Sequence, residues 1–244
     1  MIIDFHTHTG RRDMPCSLAD IRRGMKRNEI DASVVFPSTQ LPPATVLSMS
    51  LANANNLVGC RDILPFLRFD PKSMHHRRLA DMSKGFAGFK LHPRGEDFNP
   101  LDRRFTSIFK AMESTGKPII VHTRKEYHKG SDPDKLIELA KHYKLAKFVF
   151  AHFAMDSDPF FDEVGALENA FVDTSIVSSP RIIEMRVDQV GADKIVFGSD
   201  FPFSDQEIEL LKVRGCAIAE SKKRLILADN AIRLLKPGGN ESII

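Results

Sequence analysis

The sequence has few cysteines, and their number and spacing exclude two kinds of cysteine-based structure. Three occur among 244 residues, Cys16, Cys60 and Cys216, and no two of them have the CxxC spacing of a thiolate zinc site. An odd number of widely separated thiols also argues against a disulfide framework. We therefore expect a protein of a reducing compartment that is stabilised by a hydrophobic core.

Long apolar runs and an imbalance of charge are missing as well. A membrane-spanning helix needs about 20 apolar residues, and the sequence has no such run. Asp4 and His6 interrupt the region where a signal peptide would need an apolar segment. The 35 basic and 32 acidic residues give a net charge of +3, too balanced to indicate a nucleic-acid or anionic membrane partner. We expect a cytoplasmic protein with a small-molecule substrate, and the sequence leaves a homo-oligomer open.

Short apolar runs, rich in β-branched residues and bounded by Gly, Pro or Asp, recur along the chain and predict strands. They cover residues 2–6, 32–36, 63–69, 86–91, 118–122, 147–151, 170–174 and 194–197. Helical patterns lie between them, beginning at Ser17 and Ser179 or covering residues 134–140, and two more follow at 207–212 and 221–227. Such alternation predicts a parallel sheet covered by helices. Eight units in 244 residues predict an α/β fold, a (β/α)8 TIM barrel forming a single domain over residues 1–244. A doubly wound open sheet is the alternative.

Polar side chains collect where the predicted strands end. The first strand runs into His6-Thr7-His8, whose two imidazoles share a face because alternate residues of a strand point the same way. A single histidine at the end of a strand is commonly a hydrogen-bonded residue at the barrel rim, and a single aspartate commonly caps the following helix. Together at the carboxyl ends of barrel strands, where active sites lie, they predict a divalent metal site. The further members are Lys90 and His92 on the fourth strand, His122 on the fifth, His152 on the sixth and Asp200 on the eighth.

This ordered combination resembles the amidohydrolase superfamily of metal-dependent barrels. The similarity is closest to the amidohydrolase-related branch, which includes aminocarboxymuconate-semialdehyde decarboxylase. Three strings support that branch: FLRFDP at 66–71, GFKLHP at 88–93 and FGSDFP at 197–202. The segment ILADNAIRLL at 226–235 is similar to the closing helix of the branch. The resemblance extends over the whole chain.

The resemblance implies a metal held by His6, His8, His122 and Asp200, with His152 as an acid/base or a further ligand. We expect one divalent metal, with zinc as the first choice and manganese or iron as alternatives. A carboxylated Lys90 would bridge a second metal held by His122 and His152. An uncarboxylated ammonium would instead repel a second cation and attract an anionic substrate group.

Hydrolysis of a small anionic ester, lactone or amide by a metal-activated water is the reaction we expect. In this interpretation Asp200 accepts the proton of the attacking water and His152 donates a proton to the leaving group. The side chains expected to bind the substrate are Arg68, Lys90, His92 and Arg124. The βα loops at 98–104 and 124–132 are expected to face it.

Three other functions stay open at this point. The same metal site supports non-oxidative decarboxylation of an unsaturated or aromatic acid, although short βα loops favour hydrolysis. A phosphoesterase of the polymerase-and-histidinol-phosphatase type also begins with HxH, but we expect it to carry more metal-binding carboxylates than this chain has. A non-enzymatic metal-binding barrel is the third, and it is disfavoured because the polar residues lie where catalytic residues lie in barrels.

Overall fold

Eight parallel strands form a barrel in the computed structural model, which describes residues 1–10, 15–38, 42–57, 59–124, 130–155 and 158–236. The strands pair in chain order, and the eighth strand returns to the first through a bridge between Thr7 and Phe201 and a 2.8 Å hydrogen bond from Phe5 N to Phe197 O. This return confirms the predicted TIM barrel and excludes the open sheet. The strands are β1 Ile3–Thr9, β2 Ala32–Pro37, β3 Ile63–Arg68, β4 Gly88–Leu91, β5 Pro118–Val121, β6 Lys147–Phe150, β7 Ala170–Asp173 and β8 Ile195–Val196.

Strand β1 contains a bulge that decides which way its histidines point. Its pairing with β2 shifts between Asp4, opposite Ser33, and Thr7, opposite Val35. Simple alternation would place His6 on the face of Asp4, away from Phe5. Because the bulge inserts one residue, the His6 ring turns to the barrel interior, 5.1 Å from the ring of Phe36.

Helices cover the outside of the barrel and begin where the sequence supplies a cap. Ser17 and Asp20 form a reciprocal capping box at the start of the first helix, and Pro180 occupies the first turn of the seventh. The predicted helices at 134–140, 207–212 and 221–227 are found, the last with a π-helical turn at Leu225–Asp229. The helices are α1 Leu18–Asn28, α2 Pro43–Asn56, α3 His76–Met82, α4 Thr106–Glu113, α5 Pro133–His142, α6 Asp158–Ala166, α7 Pro180–Val190, α8 Gln206–Arg214, α9 Glu220–Arg224 and α10 Asn230–Leu235.

The hydrophobic core has two layers. Phe5, Val34, Phe66, Ile120 and Val149 belong to one buried cluster, which fills the barrel with side chains. A larger cluster lies between the strands and the surrounding helices. The filled interior leaves room for polar groups only at the ends of the strands. None of the helices in the described ranges combines the length and apolar character that a membrane span requires.

Candidate metal centre and active-site cavity

Three donor atoms converge at the carboxyl end of the barrel. His6 Nε2 lies 3.2 Å from His8 Nε2 and 3.2 Å from Asp200 Oδ1, and His8 Nε2 lies 3.0 Å from the same carboxylate oxygen. Donor atoms that share one divalent ion lie about 3.0–3.4 Å apart. Burial, with Lys90 nearby, lowers the pKa of both imidazoles well below the usual value, so they are neutral, as metal ligands must be. The set fits a divalent metal.

Asp200 lies in the loop after β8, and hydrogen bonds to β1 hold this loop in place. Its backbone N–H donates to His6 O at 2.8 Å, and its φ of 58° is left-handed. The buried Asp4 carboxylate accepts from Ser199 N at 2.9 Å and from Ser199 Oγ at 2.6 Å, which ties this loop to β1. A Cβ at Gly198 would lie 2.9 Å from His6 Cβ, so glycine is required for this close approach.

Asp173, at the end of β7, orients His6. Its Oδ2 accepts a 2.7 Å hydrogen bond from His6 Nδ1, and both side chains are fully buried. Because His6 Nδ1 carries the proton in this bond, the lone pair of Nε2 faces the other donors. We had not predicted a role for Asp173, although it ends a strand as the other site residues do. The sequence feature that could have identified Asp173 is its position as a carboxylate at the end of an apolar strand.

His152 is held by the same carboxylate through a serine. Asp173 Oδ1 accepts from His152 N at 3.0 Å and from the Ser175 hydroxyl at 2.5 Å. Since the Ser175 proton goes to Asp173, the hydroxyl oxygen accepts from His152 Nδ1, 2.9 Å away. The lone pair of His152 Nε2 therefore faces His122 Nδ1 at 3.0 Å. Burial lowers the pKa of His152 to about 4, and its φ is 62°.

His122 and His92 form a stacked pair beside this group, with ring centroids 3.7 Å apart and planes at 11°. The Gly95 N–H donates to His92 Nδ1 at 2.8 Å, so His92 Nδ1 is an acceptor and Nε2 carries the proton. His122 lies outside the triangle of donor atoms. Its Nε2 is buried and has no hydrogen-bond partner in the described part of the chain. The ligand role of His122 stays a prediction.

Lys90 lies beside the donor triangle, with Nζ 3.2 Å from His6 Nε2 and no exposed surface. Burial lowers the pKa of this amine to about 7, and Asp173 and Asp200 partly oppose the effect. A second group of donors, His6, His152 and Asp173, also lies within 4.8 Å, but it shares His6 and its members are hydrogen-bonded to one another. A single metal beside an uncarboxylated Lys90 stays a prediction.

A cavity of about 460 Å³ lies above these groups. Its wall includes Arg94, Ile176 and Phe203, which we had not predicted. The lining residues are His8, Lys90, His92, Arg94, Gly95, His122, Arg124, His152, Ile176, Asp200 and Phe203.

Two of our expectations about the substrate-facing surface need correction. Arg68 does not line the cavity, because its guanidinium is 1% exposed and paired with the carboxylate of Glu96. The loop at 98–104 does not line it either, and Phe98 packs against Phe105 instead. In the loop predicted at 124–132, Arg124 lies on the wall, whereas residues 125–129 lie outside the described residues.

The closed barrel and its buried histidine and aspartate donors define a class of metal-dependent barrel enzymes. Within that class the chain belongs to the amidohydrolase family, whose model, described as "Amidohydrolase", matches residues 3–236. The resemblance stated from the sequence motifs is confirmed. No curated protein matches the sequence significantly.

Solved structures share the fold at low sequence identity. The 2,6-dihydroxybenzoate decarboxylase from Rhizobium has a TM-score of 0.79 at 14% identity, covering 96% of this chain and 98% of that one. A dihydroxybenzoic acid decarboxylase from a Polaromonas species, solved with manganese and the inhibitor 2-nitroresorcinol, has a TM-score of 0.74 at 14% identity, covering 96% of each chain. A proposed 2-pyrone-4,6-dicarboxylic acid hydrolase from Pseudomonas putida has a TM-score of 0.75 at 15% identity, covering 96% and 97%.

Proposed function

We propose that this protein is a metal-dependent, non-oxidative decarboxylase of an aromatic or unsaturated carboxylic acid. The observation that carries the proposal is the cavity of about 460 Å³, which joins the buried His6, His8 and Asp200 donors to a cationic wall. A substrate that reacts at its own carboxylate must be drawn in as an anion, and such a wall favours anions. The similarity to two decarboxylase structures supports the proposal and replaces hydrolysis as our first choice.

His6, His8 and Asp200 would hold the metal, and His122, with its buried Nε2, is the further ligand we propose. A bound divalent metal would supply Lewis-acid charge that neutralises and orients an anionic substrate. Manganese or zinc is compatible with imidazole and carboxylate ligands, and the manganese in a similar decarboxylase favours manganese here. Asp173 keeps His6 in the tautomer that binds a metal.

Decarboxylation needs one proton at the ring carbon that carries the carboxylate. The bond between this carbon and the carboxylate carbon breaks, CO2 leaves, and the electron pair restores the unsaturated system. We assign the proton transfer to His152, whose Nε2 is not part of the donor triangle and whose ring Ser175 fixes through Nδ1. Burial lowers the pKa of His152 to about 4, so the ring is neutral at rest and must take up a proton at Nε2 before it can deliver one to the carbon.

Hydrolysis remains the second candidate, since a proposed dicarboxylic acid hydrolase has a similar structure. In that case Asp200 would accept the proton of the attacking water. His152 would have to be protonated at Nε2 before it could assist the leaving group, whereas its neutral tautomer in the structure presents a lone pair there. Decarboxylation makes the same demand on His152, so it is the similarity to two decarboxylase structures that makes hydrolysis the second candidate.

The test is a panel of aromatic carboxylates, including 2,6-dihydroxybenzoate, run beside lactones and esters with the manganese-loaded protein. We expect CO2 together with a product that has lost one carboxylate. His152→Asn should lower this rate at least 100-fold, because a general acid typically contributes about 10²–10⁴-fold. His142→Asn, an exposed histidine on α5, is the matched control. Ring-opened or hydrolysed products without CO2 would refute the decarboxylase.

A further inference from the structure

We infer that Asp4 and Gln206 are positioning residues for metal binding, although neither lines the cavity. The carboxylate of Asp4 contacts both segments that carry proposed ligands, the bulge of β1 with His6 and the loop after β8 with Asp200. Gln206, the first residue of the outer helix α8, holds this carboxylate. The inference rests on the proposed function only in taking His6, His8 and Asp200 as the metal ligands, and it applies to decarboxylation and hydrolysis alike.

The first contact of Asp4 supports the bulge in β1. The register of β1 against β2 shifts between Asp4 and Thr7, so the residues between them leave the regular ladder. There the backbone N–H of His6 donates to Asp4 Oδ1 at 3.2 Å. An aspartate that accepts from the backbone two residues further on can hold such a local departure from regular structure. The carboxylate therefore supports the bulge that turns the His6 ring to the barrel interior.

The same carboxylate holds the residue before Asp200. Asp4 Oδ1 accepts from Ser199 N at 2.9 Å, and Asp4 Oδ2 accepts from the Ser199 hydroxyl at 2.6 Å. The hydroxyl oxygen in turn accepts from Phe201 N at 3.1 Å, so the residues on both sides of Asp200 are held. Asp4 and Ser199 are fully buried. One buried carboxylate thus fixes two ligand-bearing segments relative to each other.

Gln206 supplies a further donor from outside the barrel. Its side-chain Nε2 donates to Asp4 Oδ2 at 3.0 Å, and the residue is only 1% exposed. Gly24 on α1 leaves room for the amide, because a Cβ there would lie 2.2 Å from Gln206 Oε1. Within the described ranges this Oε1 is buried without a hydrogen-bond partner. Because a buried, unpaired acceptor costs free energy, stability alone does not account for a glutamine at this place.

The donor atoms on the two segments must keep their spacing for a metal to bind. His6 Nε2 and Asp200 Oδ1 lie 3.2 Å apart. Distances between a metal and its ligands vary by only about 0.2 Å, so a small shift of one segment against the other weakens binding. Groups that hold metal ligands in place typically contribute about 10–100-fold to metal affinity. Asp4 acts on two ligands at once, through their backbone.

Titration of the chelator-treated protein with Co²⁺ tests the inference, because the visible absorption of bound Co²⁺ also reports the geometry of its ligands. Gln206→Met keeps the size of the side chain but removes the donor, and it should lower Co²⁺ affinity about 3–10-fold, as expected for one hydrogen bond. Asp4→Asn exchanges one acceptor oxygen for an NH2 group and should lower the affinity at least about 10-fold. Both variants should also change the absorption spectrum.

Ser33→Ala is the matched control. Ser33 lies opposite Asp4 on β2, and its buried hydroxyl has no hydrogen-bond partner in the part of the chain that the structure describes. Its removal should leave Co²⁺ affinity and spectrum as in the wild type. Urea unfolding of the metal-free proteins separates positioning from general stabilisation. We expect the unfolding midpoint of Gln206→Met to stay close to that of the wild type, because methionine also removes the unpaired Oε1.

The outcomes separate this inference from the proposed reaction. Wild-type Co²⁺ affinity and spectrum in both Gln206→Met and Asp4→Asn would overturn it, even if CO2 release is found. Weaker binding with an altered spectrum in both would support it, even if the substrate panel yields no CO2. Co²⁺ binding that survives His6→Ala with His8→Ala would instead refute the ligands of the proposed function. Ser199→Ala, which removes the 2.6 Å bond, replaces Asp4→Asn with the same expected direction if that variant does not fold.

Discussion

The hydrogen bond between Asp173 and His6 offers the most direct test of the metal centre. In an Asp173→Asn variant, the side-chain amide would keep one oxygen for the N–H and O–H donors of His152 and Ser175, which now meet Asp173 Oδ1. Its NH2 group would then face His6 Nδ1, so His6 must present a lone pair there. The proton moves to His6 Nε2, where it points at the other metal donors.

The expected magnitude follows from this change of tautomer. Loss of a carboxylate that orients a metal-bound histidine typically weakens metal binding about 10–100-fold. The corresponding free energy is about 1.4–2.8 kcal/mol, similar to the value of about 1.5–3 kcal/mol for a charged hydrogen bond. The fold should persist, because the three bonds to Oδ1 remain. Calorimetric titration of the chelator-treated variant with Mn²⁺ measures the affinity.

Ser175→Ala provides the matched control. It removes the hydroxyl between Asp173 and His152 but leaves the bond to His6 intact. We expect its metal affinity to stay within about threefold of wild type while the reaction rate falls, because only the ring of His152 loses its support. An Asp173→Asn variant that binds Mn²⁺ as tightly as the wild type would refute the role of Asp173 in selecting the His6 tautomer.

Three further predictions concern the metal, a buried ion pair and the thiols. His6→Ala combined with His8→Ala should release the metal from a purified sample, measured as metal equivalents per chain, and full retention would contradict the assigned ligands. Glu96→Gln should lower the free energy of unfolding by about 3 kcal/mol in urea titrations, because it leaves the buried Arg68 without a counterion. Glu163→Gln at the exposed pair with Lys141 should change it by less than about 1 kcal/mol, and equal effects would contradict the reasoning. Burial raises the pKa of Cys16 to about 12 and of Cys216 to about 11, so at pH 8 neither forms the reactive thiolate. A thiol reagent at pH 8 should therefore label at most one thiol rapidly, and Cys60→Ser should abolish that labelling.

The order of elements and the strand ends were predictable from local pattern. Strands β5, β6 and β7 begin at the predicted residues, because a strand buried on both faces is a continuous apolar run. The capping box at Ser17 was also predictable from local sequence, because its hydrogen bonds join residues only three apart. His6, His8, His152 and Asp200 were candidates because each lies at or just after the end of a predicted strand.

Contacts between distant loops were not predictable. Arg68 ends β3 as the candidate ligands end their strands, yet the structure pairs it with Glu96 and buries it. Arg94 lines the cavity, and its backbone N–H donates to the hydroxyl of Ser131 on another loop. Partners 28 and 37 residues apart leave no periodic signal in a single sequence.

The sequence by itself determined the barrel and the residue types at its carboxyl end, because apolar periodicity and strand ends are local properties. Only the tertiary structure decided how these side chains act. A bulge in β1 turned His6 inward, Asp173 selected its tautomer, and hydrogen bonds to Ser131 joined the loops that carry Arg94 and Arg124. Each of these effects depends on a contact between strands or loops that are separate in the sequence. The position of the partner in space therefore decides the chemistry, and a single sequence does not give that position.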